Sequence, residues 1–466
     1  MGHKAKFVLS DLYIGAGYAN EGGNNLEEFV VDAEFVHFLS DIKAESQRTR
    51  TEVELIINGN LFEFLGVPAV DHYIPTEIYP KEMYLDSSEA ASVKRLRIIQ
   101  QGHPQVFEAL SKFMQAEAPQ RRITIVKGNH DVNLFWPTVK HYLRKALGAS
   151  GPQASLLLFA EDFISREKIY VEHGHQRTET MNRYVDFLDP RHPQDPTQLY
   201  YPPGSRFFID FCNEVERNYG FANNIRPTTT LLWYALRWDL CFAAKLMVSL
   251  IHYAPTAMVI NGVAPSNSHA IYTKNLLQDL HTEAACYDLL QHCAQDPALQ
   301  QQLYHQLHQY LNLDSPEYNL IQAGVKINYD PLIVGRTIQE QYRSTLRQAA
   351  ETLAERDEAK VVIFGQTHYP IQEQLDADGV YINTGCWLKD YSDASPETWQ
   401  ALFDKSKKCD QTPTQLTYAR IDYDDNDNPT AQLLDFANVS RRDKLKYLPK
   451  KFFGWMNRFL SEPIGH

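Results

Sequence analysis

Five short apolar runs, each stopping at a turn rich in ligand-type side chains, constrain this chain more than any other feature. Phe7-Val8-Leu9 runs into Ser10-Asp11-Leu12-Tyr13, and Leu55-Ile56-Ile57 into Asn58-Gly59-Asn60. Ile123-Thr124-Ile125-Val126 runs through Lys127 into Gly128-Asn129-His130-Asp131, and Ile169-Tyr170-Val171 into Glu172-His173-Gly174-His175. Val361-Val362-Ile363-Phe364 ends in Gly365-Gln366-Thr367-His368. Brief β-branched runs bounded by polar turns read as buried strands, and open α/β sheets hold ligands at the carboxyl ends of their strands. Five such ends are expected to converge on one site.

Between these strands the spacing is helical. Leu26, Phe29, Val30, Ala33, Val36, Phe38 and Leu39 predict a helix over Leu26–Glu45, with Asn24 or Asn25 as its N-cap. Further helices are expected over Ser88–Glu117 and Thr138–Leu147. From about Gln176 to Glu355 the strand signals thin out, and proline-marked loops and long helical windows take over. Strand signals resume at Val361 and continue through Val380-Tyr381-Ile382, Gln415–Tyr423 and Ala431–Asp435. The expected organisation is a discontinuous α/β core at 1–176 and 355–440, a helical insertion at 177–354, and a C-terminal tail at 441–466. The acidic run Asp422–Asp427 reads as a solvated hairpin turn, because it lacks the spacing and terminal Glu of a calcium loop.

Bulk properties narrow the function. A formal net charge of -13 argues against nucleic-acid binding by the whole surface, since phosphate attraction needs basic excess. Six cysteines without regular spacing form neither a disulfide framework nor a zinc ribbon, so reduced thiols in a cytoplasmic protein are expected. The start lacks the apolar stretch of a signal peptide, and the most apolar window, Leu231–Val263, is interrupted by Arg237, Asp239 and Lys245.

Oxygen and imidazole donors at adjacent strand ends suit a pair of divalent ions such as Mn²⁺, Fe²⁺ or Zn²⁺, which can clamp a phosphoryl oxygen and activate water. The ordered series Ser-Asp, Gly-Asn, Gly-Asn-His-Asp, His-Gly-His and Gly-Gln-Thr-His resembles the calcineurin-like metallophosphoesterase superfamily. Its flanks, Leu61-Phe62-Glu63-Phe64-Leu65 and Tyr381-Ile382-Asn383-Thr384-Gly385-Cys386-Trp387, resemble it too. The resemblance spans about 4–176 and 355–435. It implies a four-layer α/β sandwich carrying a large, mostly helical insertion.

The same resemblance implies roles. Asp11 and His368 would bind a first metal, and Asn129 and His173 a second, with position 60 bridging them. His130 would meet the phosphate or protonate the leaving oxygen, supported by Asp131, and His175 would serve either substrate contact or loop structure. Three expected ligands are replaced: Tyr13 stands for a His, Asn60 for the bridging Asp, and Gln366 for a His. A neutral phenol and two amides are poorer ligands for first-row ions than imidazole and carboxylate. Tyr13 is expected to plug or cap the vacated position.

The expectation is therefore a degenerate centre with weak or single-metal occupancy, in a protein serving as a binding or regulatory module. The alternative is metal-dependent hydrolysis of a phosphoester or pyrophosphate with one metal or a remodelled pair. The residues do not distinguish natural divergence at Tyr13, Asn60 and Gln366 from introduced changes. A phosphorylated small molecule or lipid is the implied ligand.

Leu231, Leu232, Tyr234, Ala235, Trp238, Cys241, Phe242 and Leu246 predict a core helix in the insertion, with a greasy groove for an acyl chain as the alternative. The tail carries Arg441, Arg442, Lys444, Lys446, Lys450, Lys451 and Arg458 among aromatics. It reads either as docked on its own domain or as a contact for a peripheral membrane or protein partner.

Overall fold

The computed structural model describes residues 4–18, 23–178, 180–225, 228–260, 280, 282–300, 303, 331–356, 358–376, 378–389, 391, 394–404 and 414–437. The C-terminal tail, 441–466, lies outside them. The chain is a mixed α/β protein. Its strands are β1 (Lys4–Leu9), β2 (Glu52–Asn58), β3 (Arg121–Val126), β4 (Leu157–Ala160), β5 (Phe163–Arg166), β6 (Ile169–Glu172), β7 (Arg191–His192), β8 (Asp195–Leu199), β9 (Val361–Phe364), β10 (Ile371–Gln374), β11 (Val380–Asn383), β12 (Thr417–Tyr423) and β13 (Pro429–Asp435). A six-stranded sheet runs β13-β12-β1-β2-β3-β4, a five-stranded sheet β10-β11-β9-β6-β5, and β7 pairs with β8 in the insertion.

Strands β1 to β4 are parallel to one another, as are β6, β9 and β11. Parallel strands buried on both faces read as continuous apolar runs, which is why the sequence marks them so clearly. Their pleat divides the core. Val8, Ile56 and Val126 join Val171, Ile363 and Ile382 of the second sheet in one apolar cluster. Phe7, Leu9, Leu55, Ile57, Ile123 and Ile125 point the other way, toward Phe35, Phe38, Leu96, Val106 and Leu143 on helices Asp32–Thr49, Glu89–Gly102, Pro104–Phe113 and Pro137–Ala146. A third cluster sets Leu346, Ala350 and Leu353 of the helix Pro331–Arg356 against Tyr170, Val362, Phe364 and Tyr381.

Several boundaries differ from expectation. The first helix starts at Asp32 rather than Leu26, and no side chain caps it. The buried carboxylate of Glu27 instead accepts the backbone N–H groups of Gly15, Gly17 and Phe29, which keeps the preceding segment out of the helix. Asn24 closes a turn onto Leu26 and Gly17. The expected single helix over Ser88–Glu117 is two, because Pro104 starts the second and disfavours helix at His103.

In the insertion the apolar window splits at Asp239 into helices Thr228–Trp238 and Leu240–Ile260, and Asp239 Oδ1 accepts the Phe242 N–H at 3.0 Å. Leu231, Leu232, Ala235 and Leu246 are buried in the main core cluster. Among the described residues no helix is long and apolar enough to cross a membrane. The acidic run is the turn between β12 and β13, with Asp424 accepting the N–H groups of Asn426 and Asn428.

Candidate functional site

The five strand ends meet. β1, β2 and β3 deliver Asp11, Asn60 and Asn129 from one sheet; β6 and β9 deliver His173 and His368 from the other. Their turns are held in an uncommon backbone state. Asp11, Tyr13, Asn60, Gln366 and His368 all adopt left-handed backbone, with φ between 51° and 67°. For residues with a Cβ this costs roughly 1–2 kcal/mol each, less for Asp11 and Asn60 because Asp and Asn tolerate this region, and such outliers concentrate at functional sites, where surrounding structure over-determines them.

Here the surrounding structure is a web of backbone bonds. The N–H of Asp11 donates to Gly59 O, those of Leu12 and Tyr13 to Asn60 O, and that of Gln366 to Asp11 Oδ2. Asp131 ties two turns together by accepting the N–H groups of Leu61 at 2.8 Å and Gly128 at 2.6 Å. Close approach demands glycine at two positions. A Cβ on Gly59 would lie 2.4 Å from the His173 ring, and one on Gly128 would lie 2.3 Å from Asn60 Oδ1.

The amide of Asn60 occupies the centre. Its Nδ2 is 3.0 Å from Asp11 Oδ1, 2.9 Å from the Tyr13 hydroxyl and 3.2 Å from Asn129 Oδ1. Its Oδ1 is turned away and accepts the His130 N–H at 3.0 Å. The Tyr13 hydroxyl also lies 3.1 Å from His368 Nε2, so Tyr13 caps the cluster by hydrogen bonding. His173 Nδ1 is 2.9 Å from Asn58 O, while its Nε2 is 3.3 Å from Asn129 Oδ1 and 3.8 Å from Asp11 Oδ1. Both ring nitrogens of His173 therefore face oxygen acceptors.

Charge concentrates on Asp11. Burial pushes its carboxyl up, but the neighbouring His173 and His368 and the Ser10 hydroxyl outweigh burial and hold it far below the usual carboxylate range. Asp131 goes the other way. Burial raises it to about 6, against the opposing pull of its backbone donors.

His130 is not joined to Asp131 by its side chain. Its Nδ1 pairs with Glu63 Oε2 at 2.6 Å, and its ring lies edge-on to Tyr13 at 4.8 Å and Phe208 at 4.9 Å. Asp131 instead accepts the backbone N–H groups of Leu61 and Gly128. His175 is buried against Phe187, ring centroids 4.4 Å apart, and neither of its nitrogens has a hydrogen-bond partner among the described residues. Burial, with the charges of His173 and Lys127, holds it well below the ordinary imidazole range, so it stays neutral. The side-chain oxygen of Gln366 is likewise buried and unpartnered among the described residues.

Sequence reasoning missed the residues that close the site. Phe208 sits in a π-helical turn of the insertion, Phe208–Cys212, and π-helical turns frequently mark functional sites. Tyr184 donates its hydroxyl to Asn129 O at 3.2 Å, and Phe187 packs on His175. Asp11, Tyr13, Asn60, Asn129, His130, His173, Gln366 and His368 are consequently all buried. Of these contacts only Glu63 carried any signal, as part of the flank after Asn60.

Whether this donor set suits a metal pair turns on Asn60. To offer an oxygen it must flip, which breaks the bond to the His130 N–H and sets an NH₂ against Gly128. Unflipped, it presents hydrogens to the same oxygens, Asp11 Oδ1 and Asn129 Oδ1, that would bind cations. No group of three or more His, Cys, Asp or Glu side chains among the described residues is arranged to hold a metal ion. The residues present do not fit a dinuclear centre. They fit a hydrogen-bonded cluster in which an amide N–H supplies the positive pole. Neither the models of known protein families nor the curated proteins give a match to this chain.

Proposed function

We propose that the chain is a metallophosphoesterase-type protein whose dinuclear centre has been replaced by a polar cluster, and that it works as a binding or regulatory module rather than a hydrolase. The observation that carries this reading is the Asn60 amide nitrogen within 3.2 Å of Asp11, Tyr13 and Asn129 at once. The four-layer reading of the fold is supported by the three apolar clusters, one between the sheets and one on the outer side of each. Descent from a hydrolase is supported by the five left-handed residues, a costly geometry that a plain hydrogen-bonded core has no need to maintain. The module's ligand is a phosphorylated small molecule or lipid.

The test is metal content together with turnover. Protein purified with Mn²⁺, Fe²⁺ or Zn²⁺ present is expected to retain well under one equivalent, and to leave bis(p-nitrophenyl) phosphate intact. Nearly two equivalents per chain with hydrolysis would overturn the reading. The combined reversion Tyr13→His, Asn60→Asp and Gln366→His is expected to raise metal affinity; no gain would show that the positions are wrongly assigned.

A further inference from the structure

A second cavity, of 270 Å³, shares no residue with the strand-end cluster and is lined by Tyr73, Thr76, Glu77, Tyr79, Tyr84 and Arg217, among others. Tyr73 and Tyr79 stack on each other, ring centroids 6.0 Å apart and planes 23° apart. The Tyr79 hydroxyl accepts the Ile74 N–H at 2.8 Å, which fixes the loop that carries both rings. Ile78 belongs to the same wall and is 72% exposed.

Arg217 comes from the insertion and is half-buried. Its backbone carbonyl is fixed by the Asn25 side chain at 3.2 Å, and its guanidinium is hydrogen-bonded to the Tyr84 phenol, a neutral partner. That charge bears on the phenols of Tyr84 and Tyr73, where it pulls against the burial that raises both. A partly desolvated guanidinium on a neutral phenol is poised for an external anion, and its planar fork suits phosphate. The neighbouring aromatic faces suit a planar ring.

Two carboxylates lie nearby. Glu27, whose charge reaches Tyr73, is engaged by the N–H groups of Gly15, Gly17 and Phe29. Glu77 is exposed beside Tyr79 and is an acceptor suited to sugar hydroxyls. Ligand pockets run from roughly 300 Å³ upward, so this one admits only a compact molecule.

We propose that this cavity binds a nucleoside monophosphate or a similarly compact anionic aromatic ligand, its ring against Tyr73 and Tyr79 and its phosphate on Arg217. The full chain is titrated calorimetrically with AMP, and in parallel with adenosine and inorganic phosphate. Saturable one-site binding of AMP, tighter than either fragment, is expected, with slowed hydrogen exchange over residues 73–79. Arg217→Gln and Tyr73→Ala, each checked for unchanged thermal unfolding, are expected to weaken AMP by about tenfold or more. The Tyr13, Asn60 and Gln366 triple reversion should leave AMP affinity unchanged, which keeps this site separable from the strand-end cluster. Absence of saturable binding, adenosine binding as well as AMP, or AMP affinity that survives both variants with no protection at 73–79 would each overturn the proposal.

Discussion

The side chain of Asn60 donates to the Tyr13 hydroxyl across 2.9 Å, and both residues stand where the resemblance calls for metal ligands. The two side chains are thus partners of each other. Reverting one alone should be harmful. Asn60→Asp removes the amide donor and places a second carboxylate beside the ionised Asp11 in a fully buried site, where His173 and His368 already serve the first. Leaving a buried charge uncompensated costs on the order of 3–5 kcal/mol. Asn60→Asp is therefore expected to unfold at markedly lower denaturant concentration in EDTA, and to recover part of that loss on adding Mn²⁺. Unchanged stability in EDTA would mean that the amide is not the hub described here.

Phe208 closes the cluster over His130 from the insertion. Phe208→Ala removes a buried ring, at a cost of about 3–5 kcal/mol, and opens a route to the imidazole. Hydrogen exchange over 128–131 is expected to quicken, and His130 to react faster with diethyl pyrocarbonate. An equal reaction rate in the variant and the parent chain would show that other residues do the closing.

Much of this arrangement was legible before the structure. The five strand ends stand out because strands buried on both faces leave uninterrupted apolar runs, as in Leu55-Ile56-Ile57. Tyr13 as a cap was legible too, since a phenol binds metal poorly but hydrogen bonds well. The orientation of Asn60 was not, because an amide offers a donor at one end and an acceptor at the other, and only its neighbours decide which faces inward. The pairing of His130 with Glu63, 67 residues apart, likewise depends on the fold. Strand β4 escaped notice because three of its four residues are only half-buried at the sheet edge. The late start of the first helix followed from Glu27, a charged residue that helical spacing takes for a solvent-facing position.

His103 gives the fold a dependence on alkaline pH. Burial disfavours its charged form, but Asp32 at 2.8 Å and Glu27 at 3.3 Å outweigh burial and raise it to about 9, from an ordinary value of 6.5. A group raised on folding stabilises fully below its unfolded value, and that contribution fades as pH climbs through the folded one. Stability is therefore expected to fall by up to about 3 kcal/mol between pH 6.5 and pH 9. His103→Gln should be less stable near neutrality and should flatten that slope. An identical slope in the variant would assign the alkaline loss to another group.

Glu54 sets the corresponding limit in acid. It is buried on β2 with Lys6 at 2.5 Å, Thr124 at 2.6 Å and Arg122 at 3.0 Å, and Arg166 reaches it from β5 of the second sheet. Burial alone raises a carboxyl; these partners, Lys6 foremost, reverse that and bring Glu54 down to about 2 from 4.5. A lowered group stabilises above its unfolded value and loses that contribution as pH falls through the folded one, so the loss is expected between about pH 4.5 and pH 2. Glu54→Gln keeps the shape but removes the charge, and strands the buried ammonium of Lys6 with only the partly exposed Glu167 at 2.6 Å. The variant is expected to be less stable at pH 7 and to lose less than the parent chain on acidification. A parallel acid profile in both would assign the acid loss to another carboxyl.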